Sequence, residues 1–311
     1  MKKIPLVSFV VSFSVTCLVL SESAISEENV VLSNQNLNIY GSLLAPEKSN
    51  KVALIISGSG PTDRNGNSPN LKNDSLKKLA FSLNESGIAS LRYDKRGIAE
   101  SSIKNLDESK LLFEDYVEDA SLWIKWLKQT KNYNEITVIG HSEGSLIGMI
   151  AAEISSADKF VSLAGPGKSA DRLLKEQLSK QKLVSRIANP LIDELVAGKQ
   201  VIPPPFLKAL FRPSVQPYLI SWFKYDPSIE IAKLQIPSLI IQGSHDIQVS
   251  VEDARILFNS TDKADLKIID GMNHILINTP LDREANLASY NQPEKPINTI
   301  LTNQIVRFID P

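Results

Sequence analysis

The chain has 311 residues, enough for one large α/β domain or two small ones with a substantial buried core. Its 34 Lys and Arg residues balance 35 Asp and Glu, so it carries no basic footprint for nucleic acid. Three histidines without ligand-like spacing and a single cysteine speak against a zinc site and a disulfide framework.

The N-terminus reads as an export signal. Lys2 and Lys3 precede an apolar run from Ile4 to Leu20, and the small residues Ser21 and Ser23 suit cleavage after Ser23, with Ser26 as the alternative. A signal peptide over residues 1–23 predicts an exported, periplasmic or secreted protein. The alternative is an uncleaved membrane anchor, for which the run is just long enough. Cys17 lies inside the run behind Ser14-Val15-Thr16, a poor lipobox, so cleavage would leave a mature chain without a thiol.

Val30–Ser33 and Leu37–Leu44 alternate well enough for an antiparallel hairpin, turning at Asn34-Gln35-Asn36. Strands are then predicted at Val52–Ser57, Ala89–Tyr93, Glu135–Ile139, Lys159–Leu163, Ser238–Gln242 and Leu266–Ile269. Helices are predicted at Leu71–Ser86, Lys110–Gln129, Glu143–Ile154, Val251–Asn259 and Ile297–Phe308. Alternation of helices with near-continuously apolar strands predicts a mostly parallel sheet covered on both faces, with the hairpin as its antiparallel edge. The rhythm breaks between Pro166 and Ile236. That stretch holds two helical patterns, Ala170–Lys182 and Ser185–Ala197, then Pro203-Pro204-Pro205 and an aromatic-bearing run from Pro217 to Tyr225. The predicted division is a core over residues 24–165 and 237–311 with a helical insertion over 166–236.

The pentapeptide Gly140-His141-Ser142-Glu143-Gly144 lies between a β-branched strand and a helix, the context of a nucleophile elbow. Such a turn strains the serine backbone and projects its hydroxyl; Gly140 and Gly144 are needed because side chains there would collide with neighbouring elements. Asp246 follows the predicted strand ending near Gly243, and His274 follows the next strand. Of the three histidines, His141 is expected to point away from Ser142, and His245 adjoins the acid, which leaves His274 as the base. Asp226 and Asp270 are weaker rivals for the acid. Serine is a poor nucleophile at neutral pH, so His274 would take its proton while Asp246 holds the imidazole. An oxyanion also needs preorganised N–H donors. The backbone of Glu143 at the helix start is one candidate, its carboxylate being read as a solvated helix-start charge. The glycine-rich loop after Val52–Ser57 offers the other, Ser59, with Gly60 as its competitor.

The order Ser, acid, His is that of the α/β-hydrolases. The loop Gly58-Ser59-Gly60-Pro61-Thr62-Asp63-Arg64-Asn65-Gly66-Asn67, with Tyr93-Asp94-Lys95-Arg96-Gly97 and the elbow, resembles a group of bacterial α/β-hydrolase esterases that carry a cap domain. The resemblance covers roughly residues 30 to 310 and departs at Ala99, where many relatives have the second glycine of an Arg-Gly-x-Gly turn. It implies an α/β-hydrolase fold, and a cap that roofs the active site, whose Phe206, Tyr218, Trp222 and Phe223 would line an apolar acyl pocket. Asp94, Arg96 and Arg64 are expected to brace loops. The implied activity is hydrolysis of small to medium carboxylic esters through an acyl-enzyme, without a cofactor, on a small-molecule substrate with an apolar part. A peptidase, thioesterase or acyltransferase would keep the same three residues. A non-catalytic binding module would be expected to have lost one of them.

Overall fold

The structure is a computed structural model and describes residues 27–34, 37–102 and 107–311. The expected signal peptide, its cleavage sites, Cys17 and the hairpin turn residues Gln35 and Asn36 lie outside the described residues.

Among the described residues, eight strands form one sheet. They are β1 (Glu27–Asn34), β2 (Leu37–Leu44), β3 (Lys51–Ile56), β4 (Ala89–Tyr93), β5 (Glu135–His141), β6 (Lys159–Leu163), β7 (Ser238–Gly243) and β8 (Ala264–Ile269). Their spatial order is β1-β2-β4-β3-β5-β6-β7-β8. The β1–β2 and β2–β4 pairs are antiparallel and every later pair is parallel. Along β3, Val52, Leu54 and Ile56 enter one core while Ala53 and Ile55 enter the other. This two-sided burial is why the central strands read as continuous apolar runs rather than alternating ones. The edge strand β8 alternates over its first four residues, with Asp265 and Lys267 exposed, and ends on exposed Ile268 and buried Ile269.

Among the described residues, five helices cover the sheet. Those on one face are α1 (Ser75–Glu85) and the C-terminal α11 (Thr299–Ile309), contributing Leu76, Leu79, Leu83, Leu301 and Ile305. The opposite face takes α2 (Phe113–Gln129), α3 (Glu143–Ile154) and α9 (Val251–Asn259). Between β6 and β7 lie α4 (Ala170–Ser179), α5 (Lys182–Val196), α6 (Lys208–Phe211), α7 (Gln216–Trp222) and α8 (Pro227–Lys233), with no strand among them. A short helix, α10 (Arg283–Ala288), precedes α11.

Helix α11 starts at Thr299, two residues after its predicted Ile297, and α1 and α2 start later still relative to prediction. Leu71 pairs in a bridge with Ser68, and the Asn67 side chain accepts from the amides of Asn73 and Asp74, so α1 cannot begin before Ser75. Glu108–Lys110 forms a separate 3₁₀ turn, with Glu108 engaged by Arg212 and Ser214, and α2 begins at Phe113.

Candidate active site

The elbow sits where β5 enters α3. Ser142 has φ 55° and ψ −122°, a strained conformation for a residue with a Cβ. Its two glycines are required by close approach. A Cβ on Gly140 would stand 2.2 Å from the Gly144 carbonyl oxygen, and one on Gly144 would stand 2.4 Å from that of Ile56. The turn thereby packs α3 against β3 and leaves Ser142 partly exposed in a cavity of about 190 Å³ that it shares with His274.

Asp246 and His274 come together from the loops after β7 and β8. His274 Nδ1 donates to Asp246 Oδ2 at 2.7 Å. The other bonds to this carboxylate come from Gln242 Nε2 at 2.9 Å and the amides of Gln248 and Val249 at 2.8 and 3.0 Å. Burial pushes the Asp246 carboxyl up, but the adjoining His274 charge and these donors outweigh it and hold it below the usual range. A carboxylate only accepts, so Nδ1 carries the imidazole proton and Nε2 is the basic nitrogen. The Ser142 hydroxyl makes no hydrogen bond to His274; catalytic contacts of this kind commonly tighten in the complex with substrate.

The other two histidines are held elsewhere. His141 does not simply turn away from the site: it is buried against His274, ring centroids 4.8 Å apart, and its Nε2 donates to the His274 carbonyl at 2.8 Å. Burial, reinforced by the charge of His274, lowers its pKa to about 3, so it stays neutral and supports the loop that carries His274. His245 Nδ1 lies 2.6 Å from the Thr279 carbonyl.

Ser59 lines three adjoining cavities, two of which Ser142 also lines. Among the described residues neither the Ser59 nor the Glu143 amide donates to a protein group, so both N–H groups are free for a ligand. Gly60, at φ 71°, lines only the one of these three cavities that Ser142 does not line. The Glu143 side chain is not the solvated charge its position at a helix start suggests. It is buried, paired with Lys95 at 3.0 Å and hydrogen-bonded by the Tyr218 hydroxyl at 2.5 Å.

The insertion meets the core over Ser142. A cavity of about 230 Å³ runs from Ser142 between Leu173, Leu174, Leu219 and Phe223. It adjoins one of about 450 Å³ lined by Tyr116, Tyr218 and Ile98, and Trp222, Leu210 and Leu219 border both. Tyr218, Trp222 and Phe223 thus face the site. Phe206 does not: it is 59 % exposed on a 3₁₀ turn and lines none of these cavities. Its neighbour Leu207 is the buried member of that turn. Leu173 and Leu174 were not singled out from the sequence, although the apolar stripe of α4 marks them as a face in need of cover.

The loops behind the site are braced by ions. The Asp94 carboxylate accepts from the amides of Arg64 at 2.7 Å and Glu100 at 3.3 Å, and the Arg64 guanidinium reaches Glu100 at 2.5 Å. Arg96 binds Asp119 at 2.7 and 2.5 Å and Asp115 at 3.0 Å. Ala99 occupies the turn with φ 43°, the left-handed conformation that explains a glycine preference there.

Residues 73–207 match the family Serine aminopeptidase, S33. The chain is 31 % identical over 234 residues to the esterase EstD of Thermotoga maritima, an alignment covering 73 % of this chain and 54 % of that protein. The chain therefore spans about half the length of the curated relative it matches. Among solved structures, an esterase of Pyrococcus furiosus superposes with a TM-score of 0.61 at 16 % identity, covering 92 % of this chain and 90 % of that one. Proline iminopeptidase of Mycobacterium smegmatis superposes with a TM-score of 0.59 at 14 % identity, covering 91 % and 97 %. At such identities the likeness is one of fold, the α/β-hydrolase fold.

Proposed function

We propose that this chain, an α/β-hydrolase by fold, is a serine hydrolase that cleaves carboxylic esters of small to medium acyl groups. The observation that carries the reading is the bond from His274 Nδ1 to the buried, four-fold coordinated Asp246, beside a strained Ser142 on the same cavity. Ser142 Oγ attacks the ester carbonyl while His274 Nε2 takes its proton. Asp246 stabilises the resulting imidazolium, and the Ser59 and Glu143 amides hold the oxyanion. Collapse of the tetrahedral intermediate expels the alcohol, which receives the proton from His274. Water, deprotonated by the same nitrogen, then releases the acid and regenerates Ser142.

The helical insertion over residues 166–236 is proposed to act as a cap, with Tyr218, Trp222 and Phe223 lining an acyl pocket. The loop from Gly58 to Asn67 supports the specific likeness to cap-bearing bacterial esterases, and the relative EstD is itself an esterase. The matching family's description favours a second reading, an aminopeptidase. An aminopeptidase needs a free carboxylate near the nucleophile to hold the substrate ammonium. Among the described residues, Glu143 is the one acidic side chain lining the two cavities that contain Ser142, and Lys95 already neutralises it. This favours the ester. Residues 1–23 are proposed to direct export, on the strength of Lys2, Lys3 and the apolar run behind them.

Hydrolysis of p-nitrophenyl esters from acetyl to dodecanoyl tests the reading. Wild type is expected to turn over, and Ser142→Ala to lose at least on the order of 10⁴-fold in kcat. Retained turnover in that variant would remove Ser142 as the nucleophile.

A further inference from the structure

Lys95 has no role in the chemistry above, yet its ammonium touches both halves of the proposed oxyanion hole. Its side chain is 1 % exposed, on the loop after β4. Nζ donates to the Gly58 carbonyl at 2.6 Å and to Glu143 Oε2 at 3.0 Å, and it stands 5.0 Å from the centroid of the Tyr116 ring. The other Glu143 oxygen accepts from Tyr218, on α7 of the insertion. A buried ion pair is weak evidence for stability, because desolvating both charges offsets their attraction. Its position suggests another use.

The Gly58 carbonyl and the Ser59 N–H belong to one peptide group. No described peptide is cis, and in a trans peptide these two groups point in opposite directions. A lysine that grips the carbonyl therefore turns the N–H away from itself. Ser59 lines both cavities that contain Ser142, whereas Lys95 lines only the neighbouring one. The charge-assisted bond also polarises the peptide and strengthens its N–H as a donor. At the second donor the issue is sign. The Glu143 carboxylate, beside its own amide, would oppose a negative charge developing at Ser142 unless a cation cancels it.

We infer that Lys95 is a positioning residue for the oxyanion hole. It orients the Ser59 N–H through the Gly58 carbonyl and cancels the charge of Glu143. Through Tyr218 it makes the hole depend on the seating of the insertion. The inference rests on the serine-hydrolase reading above.

The test compares wild type, Lys95→Met, Glu143→Gln and the double variant. Each is assayed for ester kinetics, for inhibition by an acyl trifluoromethyl ketone that forms an oxyanion on Ser142, and for inhibition by a substrate-shaped amide that forms none. Lys95→Met is expected to lose about 10²–10³-fold in kcat, the scale of one lost oxyanion donor, with KM changed less than about threefold. Ketone affinity should fall in proportion while amide affinity holds, a split that a merely structural role would not produce. The double variant carries no unpaired buried charge, so it remains testable even if Lys95→Met does not fold. It should stay at least about tenfold below Glu143→Gln in kcat and in ketone affinity, because the Gly58–Ser59 peptide has lost its holder. A double variant equal to Glu143→Gln in both overturns the role of Lys95 and leaves the serine-hydrolase reading intact. A wild type that neither turns over esters nor binds the ketone overturns both.

Discussion

The core and the insertion use charge in opposite ways. Beneath Ser142 the charged groups are buried and bind across elements far apart in sequence: His274 to Asp246, Lys95 to Glu143, Arg96 to Asp119. In the insertion the ion pairs are at the surface, as in Lys168 with Glu176, Lys175 with Asp193 and Lys199 with Glu194. Several of its large apolar residues face outward, among them Leu183, Ile202 and Phe206. Exposed pairs contribute little and constrain little, whereas each buried pair admits one geometry. In the proposed reading the core holds the reacting groups in place and the insertion supplies apolar wall. Tyr218 crosses between the two regimes, carrying a cavity-lining ring and a hydroxyl that ends in the core's charge network.

Breaking the core network should have the largest effect. Asp246→Asn is nearly isosteric but takes away the anion that sets the His274 tautomer, and kcat is expected to fall by about 10⁴-fold with the fold retained. Steady-state kinetics beside a circular dichroism melt checks this. A smaller loss would mean that another acid, such as Asp270, serves His274.

The second prediction concerns pH. His141 is neutral in the folded core, with a pKa of about 3 against an ordinary 6.5. Between these values the unfolded chain binds a proton that the native chain does not, so stability rises with pH across this window and is lost as pH falls from 6.5. The slope contributed is up to about 1.4 kcal/mol per pH unit. Urea unfolding at pH 7 and pH 5 should show a stability loss smaller in His141→Gln than in wild type by about 2 kcal/mol. Equal losses would mean that His141 is not held neutral.

The insertion should respond in specificity rather than in chemistry. Trp222 borders both apolar cavities, so Trp222→Ala joins them and should raise the dodecanoyl-to-butanoyl ratio of kcat/KM about tenfold, the value of one or two methylenes in a pocket. Phe206→Ala, on the outer surface, should leave the ratio unchanged. A shift in Phe206→Ala equal to that in Trp222→Ala would erase the distinction between the two aromatics. The smallest effect expected is at the turn behind the oxyanion loop, where Ala99→Gly should relieve the left-handed strain and stabilise the protein by about 0.5–1 kcal/mol in chemical denaturation.

Much of the core was legible because its signals are local. Strand β4 and helices α3 and α9 match their predicted bounds, since apolar runs, the elbow and the box formed by Ser250 and Asp253 punctuate them directly. The starts of α1 and α2 were not legible. They depend on what Asn67, Ser68 and Arg212 reach after folding, and periodicity carries no such information. The same holds for Glu143, whose carboxylate reads as a surface charge until β4 and α7 arrive on either side of it.

By itself the sequence determined the alternation of strands and helices, the glycine-flanked serine and the order in which an acid and a histidine follow it. These are properties of short segments, set by side-chain volume, backbone strain and periodicity. Only the tertiary structure decided that Tyr218, Trp222 and Phe223 face the site while Phe206 does not, and that His141 supports the loop of His274. It alone brought one lysine to both the Gly58 carbonyl and the Glu143 carboxylate. Such placements depend on the packing of elements distant along the chain, and a side chain's neighbours across a sheet or beneath an insertion are not written next to it in sequence.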